Sequence, residues 1–436
     1  MSDAGVNLWG RKIGAVSLVE EQPAAVFQYE PEFARSAIQL APLMMPLRTE
    51  PYSFPALSVE SFKGLPGLLA DSLPDKFGNA LINTWLASQG RPPQSADSVE
   101  RLCYIGTRGM GALEFEPAKG PQRSPLEVIR IEALVKLASE VLSEREKFVA
   151  SLKEGHEEEG LLELLSVGMS AGGARAKAVI AWNPETNEIR SGQVAAPPGF
   201  QHWLLKFDGV SGNKDKESLD DPEGHGAVEY AYSLMARTAG ITMTECRLFP
   251  ENGRRHFMTR RFDRSADNFK LHLQSLGALA HYDFNQAGAH AYEQAMMMIR
   301  RLGLSIEDVE EQFRRMAFNV LARNQDDHVK NIAFLMDQGG NWSLSPAYDM
   351  TFAYRSDGDW TAQHQMTING KRDGFSLDDF ERCAESVSMK RGRARTILGE
   401  VREAVASWPE HAAVAGVDEG DIARIGRTHR LDLPRS

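Results

Sequence analysis

At 436 residues, with 42% apolar and 25% charged side chains, the chain has the make-up of a soluble globular protein. It is too long for one comfortable core, so two or three domains are expected. A net charge of −11 excludes broad, non-specific nucleic-acid binding by the whole surface, though not a local basic patch or a DNA-binding partner.

The N-terminal residues lack a basic stretch leading into an apolar core, and apolar runs of about 18 residues are absent, so neither export nor a membrane span is expected. Cys103, Cys246 and Cys383 are odd in number and far apart, which fits a reducing cytoplasm better than a disulfide framework or a cysteine metal site. The first 30 residues read as a small β-meander: Val6-Asn7-Leu8-Trp9, a turn at Gly10-Arg11-Lys12, then 13–18 and 25–29. Leu68, Leu69, Leu73 and Phe77 line one face of a packed turn and helix around Pro74, running on to Trp85. The glycine-rich run from Tyr104 to Phe115 has no helix close behind it, which is against a phosphate loop. A boundary falls near 120–125, before a helical period over 125–154 and a charged surface loop at His156-Glu157-Glu158-Glu159-Gly160.

A second glycine-rich stretch, Ser170-Ala171-Gly172-Gly173-Ala174-Arg175-Ala176-Lys177, leads into the apolar strand 178–182. Its small residues would let backbone N–H groups approach phosphate oxygens, with Arg175 and Lys177 adding charge; a flexible hairpin entry is the plainer alternative. Lys206 stands inside the apolar strand 203–207, where it either points to an edge or meets anions, since a buried ammonium is costly without partners. Glu229, on the helix 228–236, would supply one in the strand-lysine, helix-glutamate manner of kinases, unless both are surface groups. The strand 257–264 has a sharp polar exit and stands where a kinase has its interlobe hinge.

From about 288 the chain turns helical, and Val309, Phe313, Met316 and Val320 form one buried stripe that delivers Asp326 at its C-terminal end. Around Gln338-Gly339-Gly340, 332–336 should fold back on 342–346 as a hairpin, bringing Asn331 and Asp349 to its open end. A carboxylate with an Asn five residues on and an Asp beyond the hairpin suits Mg2+-dependent phosphoryl transfer: one accepts a hydroxyl proton, two oxygens hold a hard cation. The same residues could also form an ordinary solvated loop. Past 355, a strand over 360–369 and a helix capped by Ser376, with Asp378 and Asp379 in its first turn, are expected. The basic cluster Lys390-Arg391-Gly392-Arg393-Ala394-Arg395 reads as a solvated helix face or a phosphate-backbone contact.

Taken together these motifs resemble the HipA family of serine/threonine kinases, toxins of type II toxin–antitoxin modules. The resemblance rests on Gly64-Leu65-Pro66-Gly67, Asp71-Ser72-Leu73-Pro74-Asp75, 109–115, 170–177, Lys206, Arg261-Phe262-Asp263-Arg264, 326–331 and Tyr348-Asp349, in that order. It implies an α+β, protein kinase/PI3-kinase-like two-lobed fold with a mixed α/β N-terminal lobe and a mainly helical C-terminal lobe. The implied division is a β-rich subdomain at 1–122, a kinase N-lobe at 123–262 and a helical C-lobe at 263–436.

By the same resemblance, Asp326 is the general base, and Asn331 and Asp349 ligate Mg2+. Gly172, Gly173, Ala174, Arg175, Ala176 and Lys177 cover the ATP phosphates and Lys206 contacts them. Arg260, Arg261 and Phe262 form the adenine hinge, while His328, Lys330 and Tyr348 line the nucleotide site. Ser170 matches an autophosphorylated serine whose modification inactivates the enzyme. The implied partners are a HipB-like helix-turn-helix antitoxin, operator DNA through it, and an aminoacyl-tRNA synthetase as protein substrate. Arg260 stands where the family often has Glu, and the 170–176 loop is a variant, so substrate choice is the freer property. A small-molecule kinase of the aminoglycoside-kinase type and a non-catalytic corepressor remain open as other functions.

Overall fold

The computed structural model describes residues 1–19, 21–120, 128–143, 158–168, 175–193, 196–210, 223–265 and 269–435. They form two compact units. The first comprises Met1–Glu223, Phe249–Gln274 and Met336–Asn341, and the second Gly224–Leu248, Ser275–Leu335 and Trp342–Ser436.

The expected meander opens the first unit as β1 (Ser2–Leu8), β2 (Arg11–Leu18) and β3 (Val26–Tyr29), joined by β4 (Leu113–Glu116) in an antiparallel sheet of order β3-β2-β1-β4. Alternation along β1 turns Ala4, Val6 and Leu8 inward. The helix Lys76–Ser88 begins at Asp75, whose carboxylate accepts the Gly78 N–H at 2.7 Å and caps it.

A second sheet follows with β5 (Lys177–Trp182), β6 (Ile189–Ser191), β7 (Gln201–Lys206), β8 (Cys246–Glu251) and β9 (Arg254–Arg260), in the order β6-β5-β7-β9-β8. Every residue of β5 is buried, as expected of a central strand with both faces covered. β10 (His272–Ser275) carries the chain towards the second unit.

The second unit is mainly helical. Its longest helix, Ile306–Leu321, starts in a capping box of Ser305 and Asp308, and its stripe of Val309, Phe313, Met316 and Val320 is fully buried. The hairpin forms as β11 (Ala333–Met336) and β12 (Trp342–Leu344). Gly340 makes its turn possible with φ +84°, and the Ser345 N–H donates to the Ala333 carbonyl at 2.9 Å.

The helix after Ser376 is present as Leu377–Ser386, again with a capping box. The strand expected over 360–369 is not: that stretch is a chain of turns with isolated bridges at Thr367 and Ile368. Its polar groups are spent on the neighbouring loop 324–327 instead of a ladder. In the basic cluster, Arg393 pairs with Glu310 at 2.7 Å and Arg395 pairs with Glu381, so these two cations are partly neutralised by carboxylates of two other helices.

Candidate active site

The helix Ile306–Leu321 delivers the loop, and Arg323, at φ +60°, turns the chain out of it. Asn324 ties three pieces: its backbone N–H donates to Asn319 at 2.9 Å, and its side-chain amide donates to the Asn319 Oδ1 at 2.9 Å and to the Asp349 carbonyl at 3.3 Å. Asp326 follows, its side chain one-third exposed, and the indole N–H of Trp360 donates to its Oδ1 at 2.6 Å.

A 3₁₀ turn, Val329–Asn331, then brings the chain back, capped by the His328 Nδ1 that accepts the Lys330 N–H. The Asn331 amide nitrogen donates to the Asp326 carbonyl at 2.8 Å, which leaves the amide oxygen as the ligating end. Across the hairpin, the Tyr348 hydroxyl donates to the Lys330 carbonyl, and Asp349 sits at φ +52°. An aspartate in the left-handed region is held there by its surroundings; such positions gather at functional sites. Lys330 lies over the Phe284 ring at 4.6 Å, beside His328. Hydrogen bonds thus link Asn331 to Asp326 and Tyr348 to Lys330, His328 stands 3.8 Å from the Asp326 carboxylate, and Asp349 joins the loop through its main-chain carbonyl and Asn324.

Behind this loop lies a carboxylate that the sequence reading did not single out. Asp327 is buried and accepts the Tyr292 hydroxyl at 2.7 Å, the His364 Nδ1 at 2.8 Å and the Gln365 N–H at 2.8 Å. Burial pushes its pKa up, but His364 and these donors outweigh that and hold it below the ordinary value.

The first unit holds the other expected residues. Ser170, Gly172, Gly173 and Ala174 lie outside the described residues. Arg175 and Ala176 precede β5, and Lys177 is that strand's first residue, buried, with its ammonium 3.6 Å from the Asp75 carboxylate. Lys177 therefore sits in a strand beside a carboxylate, where the sequence had suggested an open glycine-rich loop. Directly opposite it in the β5–β7 register is Lys206, whose ammonium lies 5.8 Å from the Phe257 ring centre. Glu229 is buried on the helix His225–Thr238 of the second unit.

Arg260 ends β9 opposite Trp203, and the Arg261 N–H donates to the His202 carbonyl at 2.9 Å. The Arg261 guanidinium is not available to a ligand. It grips the Asp263 carboxylate with two bonds of 2.9 and 2.7 Å, while Arg264 adds a third at 2.8 Å. Gly111 donates its N–H to the same carboxylate at 2.6 Å, and both arginines reach the Gly109 carbonyl. The glycine-rich run before β4 is the cradle of this cluster. Gly111 has φ +76°, and a Cβ there would stand 3.0 Å from the Leu273 nitrogen.

Chemically, the loop of the second unit offers amide and carboxylate oxygens, the ligands of a hard cation such as Mg2+, which takes one or two protein groups and fills its shell with water and phosphate. Among the described residues no cluster of three or more His, Cys, Asp or Glu stands at metal-holding spacing. Trp360, His364 and Arg430 carried no signal readable from the sequence: Trp360 and His364 reach the loop from 34 and 37 residues away, and Arg430 meets His364 from 66 residues away.

Comparison with known proteins follows the same lines. The family described as HipA N-terminal domain matches residues 4–116, and that described as HipA-like C-terminal domain matches residues 169–408. Over 195 residues, 41% of this chain, the sequence is 27% identical to "Putative kinase Y4dM" of Sinorhizobium fredii. The chain spans 46% of the length of that curated relative.

Among solved structures it is similar to a chain of the "Shewanella oneidensis MR-1 Toxin Antitoxin System HipA, HipB and its operator DNA complex", with a TM-score of 0.63 and 15% identity over 97% of this chain and 95% of that one. That likeness establishes the fold. A proinflammatory kinase, CtkA, of Helicobacter pylori aligns with 49% of this chain and 90% of its own at a TM-score of 0.30 and 11% identity, too distant to argue from.

Proposed function

The chain belongs to the HipA family, and from that premise we propose that it is an ATP- and Mg2+-dependent serine/threonine protein kinase, the toxin of a toxin–antitoxin pair. The observation that carries the reading is the bonded loop: Asp326 one-third exposed, Asn331 tied to its carbonyl at 2.8 Å, and Asp349 joined through Asn324 at 3.3 Å.

In this reading a protein hydroxyl attacks the γ-phosphorus, the bond to the β-phosphate oxygen breaks, ADP leaves, and the hydroxyl proton passes to the Asp326 carboxylate. Asn331 and Asp349 hold Mg2+, which neutralises phosphate charge. Lys206, oriented by Glu229, and the 172–177 stretch with its Lys177 bind the phosphates. The backbone of 260–262 takes the adenine, and His328, Lys330 and Tyr348 line the nucleotide. Since the Arg261 guanidinium is committed to Asp263, only its main chain serves the hinge. The three-part division at 122 and 262 would then separate a β-rich subdomain from the two catalytic lobes.

Ser170 is the proposed autophosphorylation site: a dianion in a glycine-rich phosphate loop repels ATP and switches the enzyme off. The proposed partners are a HipB-like DNA-binding antitoxin, operator DNA through it, and an aminoacyl-tRNA synthetase as substrate, all in the cytoplasm. Intact mass spectrometry of the purified chain beside Asp326→Ala tests the reading. One phosphate at Ser170 on the unaltered chain and none on the variant is expected. An unaltered chain that binds ATP with Mg2+ yet moves no phosphate, to itself or to protein, would contradict it.

A further inference from the structure

Two adjacent carboxylates on the loop are held by one short stretch of chain. Trp360 donates its indole N–H to the Asp326 Oδ1 at 2.6 Å, and four residues later His364 and the Gln365 N–H hold the two oxygens of Asp327 at 2.8 Å each. The stretch is fastened to the loop on its other side too: the Gln325 amide donates to the Thr361 carbonyl at 3.0 Å, and the Gln365 amide donates to the Gln325 carbonyl at 3.1 Å.

Arg430 stands behind it, its guanidinium 3.2 Å from the His364 Nε2. A guanidinium has donors only, so Nε2 accepts, and the imidazole proton is placed on Nδ1, facing Asp327. Arg430 also bonds Asp373 and reaches Gln325, and its backbone N–H donates to the Leu321 carbonyl at 2.9 Å. It borders a cavity of about 630 Å³ shared with Arg323, Tyr354 and Phe375, so solutes can reach its place.

We infer that Trp360 and the Arg430–His364–Asp327 chain are positioning residues for Asp326. Trp360 fixes one oxygen of that carboxylate, while the chain behind it fixes the backbone that carries it. This rests on the reading of Asp326 as the proton acceptor. It adds that the rate depends on an indole 34 residues away and on an arginine near the C-terminus.

The test measures kcat and KM for ATP with Mg2+, following all γ-phosphate that leaves ATP, to protein hydroxyls or to water. Trp360→Phe keeps the ring and removes the N–H. It should lower kcat about 10- to 100-fold with KM for ATP unchanged. Losing that donor should act on turnover alone, a kcat-against-KM split that a merely structural role would not give.

Arg430→Ala should lower kcat in the same way, with partial recovery when guanidinium is added at non-denaturing concentration, and more activity in Arg430→Lys than in Arg430→Ala. If Trp360→Phe does not fold, the Arg430 rescue decides. Unaltered kcat in folded Trp360→Phe, or absence of rescue in folded Arg430→Ala, overturns the inference. Asp326→Asn run alongside keeps the two claims apart: activity lost there but kept in Trp360→Phe sinks the positioning role alone, whereas activity kept in Asp326→Asn sinks the reading beneath it.

Discussion

Two buried aspartates, one in each unit, solve the same problem differently. Asp263 is neutralised by full charges, with Arg261 and Arg264 around it and the Gly111 N–H closing the shell. Asp327 has a tyrosine, an imidazole and a main-chain amide around it instead. Burial alone would raise both pKa values, and in both the partners win. The ionic cluster locks a glycine-rich turn to the end of β9 and cannot relax, because an arginine cannot shed its charge. The network around Asp327 is built from a hydroxyl, a ring N–H and a main-chain N–H, one residue from Asp326. An ionic staple suits a scaffold; a directional set of hydrogen bonds suits a loop that must hold a reacting group in place.

The comparison predicts unequal penalties. Asp263→Ala strands two guanidinium groups in the interior and should destabilise the fold by about 3–5 kcal/mol, read by chemical denaturation. A loss below about 1 kcal/mol would mean the cluster relaxes after all. Asp327→Asn places an amide N–H₂ against one of three donors and should cost about 1–3 kcal/mol. Its distinguishing effect is on turnover, which should fall with ATP affinity kept. If stability falls while turnover holds, Asp327 is only another scaffold group.

The smallest effect sharpens the ionic side. Glu100, bound by Arg91 at 2.9 Å and by Lys119 at 2.9 Å, has its pKa lowered to about 2, chiefly by the Arg91 hydrogen bond. A carboxylate with a depressed folded-state pKa contributes stability above its unfolded value of about 4.3, and that contribution is lost as pH falls from there. Between pH 4.5 and 2 the melting temperature should therefore drop by about 2–4 °C more in the unaltered chain than in Glu100→Gln. Parallel curves would show that this more accessible pair contributes nothing.

Much of the scaffold and part of the site could be read from residue order. Local periodicity carried the meander, the stripe Val309–Phe313–Met316–Val320, the hairpin and the Ser376 cap, because each is decided by neighbours a few positions apart. Asp326 and Asn331 were within reach for the same reason, lying on one turn. The ion pair of Lys177 with Asp75 was not legible, because Asp75 comes from the cap of a distant helix. The 360–369 stretch misled: its mixture of polar and apolar residues imitates strand alternation, yet Trp360, His364 and Gln365 spend their donors on the loop. That the run 104–115 cradles a pair of arginines entering from beyond β9 is a tertiary fact that no neighbouring residue announces.

The most direct trial of the account is the rate of γ-phosphate transfer from ATP with Mg2+ by Asp326→Asn, measured with its ATP affinity and melting temperature beside the unaltered chain. A fall of about 10²- to 10⁴-fold with both other quantities close to the original is what a proton-accepting carboxylate at this position predicts. Full transfer by a folded Asp326→Asn protein would contradict it and leave the bonded loop as architecture alone.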